Sequence, residues 1–335
     1  MRTGVVALAL TAAFAVVAVP NAVAEQGAPC TWAASKIAAP DGYDPAGVRV
    51  RGTDSRGNFV GVVSIPAANN SKVAVWTDGR PRVADELGEL MYPSVADENS
   101  SGTVLLSAGF VAEGRSKTVL FTGAHTGRGT TTELVAPAGY RVTGGTALNE
   151  RGDVLGSAEP VTGGKTVSVL WSTLAAGPIV IDSSAGLGTD LDDDGTVLLE
   201  DSSTGLASLW RNGEVTRLAL PEGNRPVISG LRSGKVIGYH VTSWPGAQSF
   251  LWDGPANVLE LEQGGTAAAI NAGGLIAGRR DAIDGKTGVW RNTTFLGDLP
   301  LPDGLRSVTD LYLIGDDDTI FGQETGYGAI RWTCT

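Results

Sequence analysis

Seven short β-rich runs ending on an aromatic residue divide this chain into near-equal units. They end at Trp76, Phe121, Trp171, Trp210, Trp252, Trp290 and Trp332, as in Val73-Ala74-Val75-Trp76 and Ser249-Phe250-Leu251-Trp252. The spacings are 45, 50, 39, 42, 38 and 42 residues, averaging about 43. A polar turn followed by a strand recurs in phase with these runs. Asn149-Glu150-Arg151-Gly152-Asp153-Val154-Leu155-Gly156 is its plainest copy. The side chain of Asn or Asp caps such a turn, and glycine takes the positive-φ position. A third marker is a Leu/Val stretch closing on Pro-x-Gly, as at Leu218 to Gly223 and Leu299 to Gly304, and it reads as a further strand. Each unit is therefore expected to hold four short strands, with no room for a helix of useful length.

Composition agrees. The 47 glycines among 335 residues exceed the usual share of about 7%, and glycine inside a helix costs roughly 0.8–1 kcal/mol. Charged residues make up 18% and hydrophobic residues 42%, which excludes a disordered acidic chain. Four strands per unit of about 40–50 residues is the period of a β-propeller blade. The expected fold is all-β: one seven-bladed β-propeller of four-stranded antiparallel blades over residues 25–335. A β-solenoid or two stacked sandwiches would use similar repeats. The last unit stops just after Trp332 without its final strand, and Ser35 to Gly42 is expected to supply it. Residues 1–24 read as a signal peptide: Arg2, an uncharged apolar run from Val5 to Val19, then Ala22-Val23-Ala24. Export makes a Cys30–Cys334 disulfide the expected closure of the ring. The chain should be secreted, extracellular and monomeric. Its formal net charge of −11 argues against nucleic acid as a partner, and no later stretch is apolar enough for membrane insertion.

The pattern Asn-x-x-Gly-x-Val-x-Gly followed by Phe-Leu-Trp resembles the repeat of extracellular HAF-repeat proteins, a kelch-like propeller group. The resemblance runs over residues 48–334, although His-Ala-Phe itself is absent and Ser249-Phe250-Leu251-Trp252 comes nearest. It implies a secreted propeller and brings no catalytic residues.

Several strings look like chemistry. Gly163-Gly164-Lys165-Thr166 and Gly285-Lys286-Thr287 lack the earlier glycine of a phosphate loop. Asp190, Asp192 and Asp194, with Asp201 at the twelfth position, have the spacing of a calcium loop, although Asp192 also aligns with the ordinary blade turn. No other cofactor is implied. His125 and His240 are the two histidines, and no Gly-x-Ser-x-Gly or His-Glu-x-x-His string supports triad or zinc chemistry. Six of the aromatic-run positions are tryptophans, expected to pack between blades. Trp244 stands apart, in a loop between second and third strands. With Tyr239, His240, Arg280 and Asp281 it forms the expected ligand-binding rim. The expectation is a non-catalytic module for an extracellular protein or glycan. The alternative is a polysaccharide-active enzyme, a glycoside hydrolase or lyase, with carboxylates near the central channel.

Overall fold

A computed structural model describes residues 30–221, 225–241, 246–280, 286–308 and 310–335. Trp32–Thr335 form one compact unit of seven four-stranded antiparallel sheets. Six sheets take their strands in sequence order. Blade 1, for example, is Val48–Thr53, Phe59–Ile65, Asn70–Thr77 and Arg80–Val83, from the channel outward. The innermost strands of the other blades are Leu90–Glu98, Tyr140–Leu148, Leu187–Leu191, Val227–Arg232, Thr266–Ile270 and Asp310–Ile314.

Blade 7 is the composite one. Its outermost strand is Trp32–Lys36, paired with Gly328–Cys334 through Trp32↔Cys334 and Lys36↔Ile330. The closing strand thus lies a few residues earlier than Ser35 to Gly42. Both cysteines, Cys30 and Cys334, are disulfide-bonded, which staples the two termini at this junction.

Blades hold one another through seven apolar clusters, one at each junction. Strands packed between neighbours are apolar on both faces, which accounts for the low charge content. The aromatic-run tryptophans sit in these seams. Trp76, Trp252, Trp290 and Trp332 are at most 1% exposed, whereas Trp171 is half-buried. Each also donates its indole N–H over 2.7 Å to a backbone carbonyl in the preceding linker. The acceptors are Ala38 for Trp76, Val135 for Trp171, Ala219 for Trp252, Glu262 for Trp290 and Pro300 for Trp332. These carbonyls explain the third marker. Leu218–Leu220 and Leu299–Leu301 are not strands; they are the crossings from one blade's outer strand to the next blade's inner strand. Leu218 N and Leu299 N still bond their own blades, at Ala207 O and Thr287 O, and the next blade's indole then holds the carbonyl that follows.

The turns after the inner strands knit a second ring. Asn149 Oδ1 accepts from the Arg151 and Asp153 amides of its own turn, and its Nδ2 donates to Asp192 O of the next blade. Asn99 reaches Asn149 O and Asn271 reaches Gly315 O in the same manner. The Asp192 side chain has no N–H to give. It accepts from Ser233 N and Gly234 N of the following turn. In blades 2, 3, 4 and 6 the side chain that opens the turn therefore ties blades together as well as capping locally.

A bulge interrupts every inner strand at the equivalent place, after Val50, Val95, Gly145, Gly188, Ile228, Ala267 and Leu311. The second glycine of the repeat faces this pinch. A Cβ on Gly61 would lie 1.9 Å from Arg49 O, and one on Gly278 would lie 2.2 Å from Thr266 O. Close backbone approach requires that glycine in five blades, whereas blades 2 and 4 place Leu106 and Leu199 there.

Candidate functional site: a groove on the outer face and a cup in the channel

The expected rim residues divide. Trp244 and Asp281 lie outside the described residues. Tyr239 is half-buried within the second strand of blade 5, opposite Val227 and Ser249. His240 is 8% exposed and stacks on Phe250 with ring centroids 5.1 Å apart, so it is a packing residue in the blade. Arg280 forms an ion pair with Asp298 at 2.7 Å and lies over the Phe295 ring at 5.5 Å.

The calcium spacing gathers no ligands. Asp190 accepts from Leu191 N and Leu231 N, Asp194 pairs with Arg211, and Asp201 accepts from Ser203 and Thr204. Those hydroxyl and amide donors, led by Thr204, lower Asp201 to about 2. Among the described residues no three His, Cys, Asp or Glu side chains form a metal-holding group.

The face carrying the loops between second and third strands instead presents a groove at the junction of blades 2 and 3. Its volume is about 560 Å³, and Met91, Tyr92, Phe110, Val111, Lys117 and Val142 line it. Tyr92 is its most informative member. It is 64% exposed, yet its φ is +49°, a conformation that costs a bulky side chain about 1–2 kcal/mol. The strand register breaks between Met91 and Ser94, which throws Tyr92-Pro93 out of the ladder, and Pro93 is buried beneath. Asn70 of blade 1 holds the strained turn from both sides: Oδ1 accepts from Tyr92 N at 2.8 Å and Nδ2 donates to Leu90 O at 3.0 Å. A large aromatic ring is thus held out to solvent in a costly backbone state by a dedicated clamp. Met91 and Val111 beside it are 48% and 43% exposed. The polar rim is internally neutralised. Arg115 pairs with Glu133 at 2.6 Å, and Lys117 pairs with Glu113 while lying 5.0 Å over the Phe110 ring. Tyr92 lies outside the rim expected from the sequence. The available signal was a proline inside an inner strand, which marks a bulge.

The second concavity is the central channel, a cup of about 260 Å³ bounded by all seven inner strands. The bulges aim Arg51, Ala96, Thr146, Thr189, Ser229, Ala268 and Tyr312 at its wall. The next position is small or apolar in five blades, but it is Asp97 in blade 2 and Asp190 in blade 4. Each Asp accepts one amide from its own strand and one from a later blade: Glu98 N and Leu148 N for Asp97, Leu191 N and Leu231 N for Asp190. Burial outweighs those bonds and pushes Asp97 up to about 7 and Asp190 up to about 6. At the turn end of the channel Arg232 reaches Asp316 at 2.8 Å and both Glu150 and Asp193 at 3.4 Å. Burial works against the charge of Arg232, but these acids hold it firmly protonated. Glu98, also in the lining, meets His125 Nε2 through Oε1 at 2.5 Å, and His125 Nδ1 meets Thr77 Oγ1 at 3.1 Å. Burial raises the Glu98 pKa and His125 opposes that rise.

The chain matches no protein-family model and no curated protein. Solved structures resemble it over nearly their whole length. Oligogalacturonate lyase in complex with manganese is 12% identical, with a TM-score of 0.61, covering 92% of this chain and 96% of that one. YCF48 bound to D1 peptide is also 12% identical, with a TM-score of 0.52 and the same two coverages. Virginiamycin B lyase from Staphylococcus aureus is 14% identical, with a TM-score of 0.50, covering 91% and 99%. Enzymes and a peptide-bound protein stand side by side in this set, and what the chain shares with them is the propeller fold.

Proposed function

We propose that this chain is an exported, non-catalytic propeller that captures an extracellular protein partner through the Tyr92 groove. The observation that carries the proposal is the exposed aromatic ring held at positive φ by Asn70. Strain of this kind persists where the exposed group is used. The ligand class follows from the lining. Tyr, Met, Val and Phe surround the groove and its charges already cancel, which suits an apolar side chain of an extended polypeptide better than a sugar hydroxyl face. The YCF48 structure, a propeller with a bound peptide, supports the feasibility of this mode. Export is supported by the leader-like first 24 residues and the disulfide. Kinship with HAF-repeat proteins is supported by the recurring turn and Phe-Leu-Trp run.

The test is selection of a peptide display library on the purified chain. The expected outcome is an enriched peptide with an apolar anchor. Tyr92→Ala should weaken it by about thirtyfold, a hot-spot loss of about 2 kcal/mol. A glycan array bound with Tyr92→Ala still active would overturn the assignment. One observation favours the enzyme alternative, the carboxyl pair Asp97 and Asp190 in the channel. Release of reducing ends from a polysaccharide, lost in Asp97→Asn, would establish that reading instead.

A further inference from the structure

The channel cup is a second concavity, separate from the groove. Arg51 is exposed on the cup wall and forms no ion pair with any described residue. Its guanidinium lies 5.4 Å from the centre of the Tyr312 ring, which orients it without neutralising it. A lone oriented guanidinium is a binding partner for a planar anion. Arg232 is taken up by Glu150 and Asp316, and Asp97, Asp190 and Glu98 leave the rest of the lining acidic, so a dianion such as phosphate meets stronger repulsion than a monocarboxylate. Around them Thr146 and Ser229 contribute hydroxyls able both to donate and to accept, and Thr189 one that gives its proton to Leu198 O and can still accept.

Two details point to a ligand with hydroxyl groups. Each oxygen of Asp97 and Asp190 takes a single described hydrogen bond, leaving lone-pair capacity. Glu98 is 4% exposed, and its Oε2 has no hydrogen-bond partner among the described residues. A buried acceptor left unmatched in this manner calls for a donor. The volume of about 260 Å³ is slightly below the range of roughly 300–1,000 Å³ for drug-sized ligands, so the occupant is about one sugar unit in size.

We propose that the cup binds a small polyhydroxylated monocarboxylate, a sugar acid, with Arg51 receiving the carboxylate while Asp97, Asp190 and the Thr and Ser hydroxyls receive its hydroxyl groups.

The test is calorimetric titration of the purified chain with D-gluconate, D-glucuronate, D-glucose, acetate and L-serine. The sugar acids should bind at least tenfold tighter than glucose, acetate or serine. Arg51→Gln should erase the margin over glucose, with its unfolding midpoint unchanged because Arg51 is exposed. Asp190→Asn should weaken the sugar acids while leaving acetate unaffected, and Tyr92→Ala should leave every affinity as it was. The proposal is overturned by no binding of either sugar acid, by binding that survives Arg51→Gln, or by acetate or serine binding as tightly as the sugar acids.

Discussion

Replacing Trp252 by Phe tests how the blades hold together. The indole is 1% exposed and packs in the cluster joining blades 4 and 5, against Leu218, Leu231 and Phe250. Its N–H satisfies Ala219 O at 2.7 Å. Phenylalanine keeps most of the apolar contact but deletes the donor. A partly buried carbonyl without a partner costs about 1–3 kcal/mol. The smaller ring leaves a void of roughly 40 Å³, worth about 1 kcal/mol. Together Trp252→Phe should destabilise by about 2–4 kcal/mol. Trp171→Phe is the matched control. Its indole bond to Val135 O is also 2.7 Å, but Trp171 is half-buried and Val135 is 73% exposed. Water can replace that donor, so the loss should stay below about 1 kcal/mol. Urea unfolding followed by circular dichroism reads both variants. Equal losses would refute the argument that burial of the linker carbonyl sets the cost.

Three further outcomes are expected. Tyr92→Gly should raise stability by about 1 kcal/mol through relief of the positive φ while abolishing peptide capture; a destabilised variant would contradict the strain argument. For pH, Asp97 and Asp190 have folded values of about 7 and about 6 against an ordinary 3.8, so the folded state holds protons that the unfolded chain has released. Their stabilising effect is full below about pH 3.8 and falls away as pH rises through 6 and 7. Urea midpoints should accordingly be higher near about pH 5 than about pH 8, with a flatter profile in Asp97→Asn, and an unchanged slope in that variant would remove Asp97 from the explanation. Replacing Cys30 and Cys334 together by Ser opens a loop that spans nearly all of the described residues. Thermal unfolding should register a loss of up to about 5 kcal/mol, and an unaltered midpoint would show that the strand pairing closes the ring unaided.

The period was legible because the blades share three needs: an aromatic in every seam, an Asn or Asp at the turn in five blades, and a glycine where the bulge pinches in five. Repetition turns weak local signals into a strong one. The Pro-x-Gly stretches misled for a physical reason. An apolar segment that packs under the next blade's tryptophan has the same composition as a strand, and periodicity cannot separate the two. The groove was hidden because it arises from one departure, the Met91-Tyr92-Pro93 bulge, and its clamp Asn70 comes from another blade. Asp97 stays unremarkable in sequence and Asp190 stands out only for its calcium-like spacing, since their equivalents elsewhere are Gly52, Ala147, Gly230, Ala269 and Leu313. Only the ring brings both carboxyls to one channel.

The central claim is that a partner polypeptide docks on the groove at blades 2 and 3. Its most direct measurement is photo-crosslinking with benzoylphenylalanine placed at position 92 or, separately, at 239, using the peptide selected on the wild-type chain. The account predicts an efficient adduct from position 92, mapped to the apolar anchor of the peptide, and none from 239. An adduct from 239 with none from 92 would contradict it.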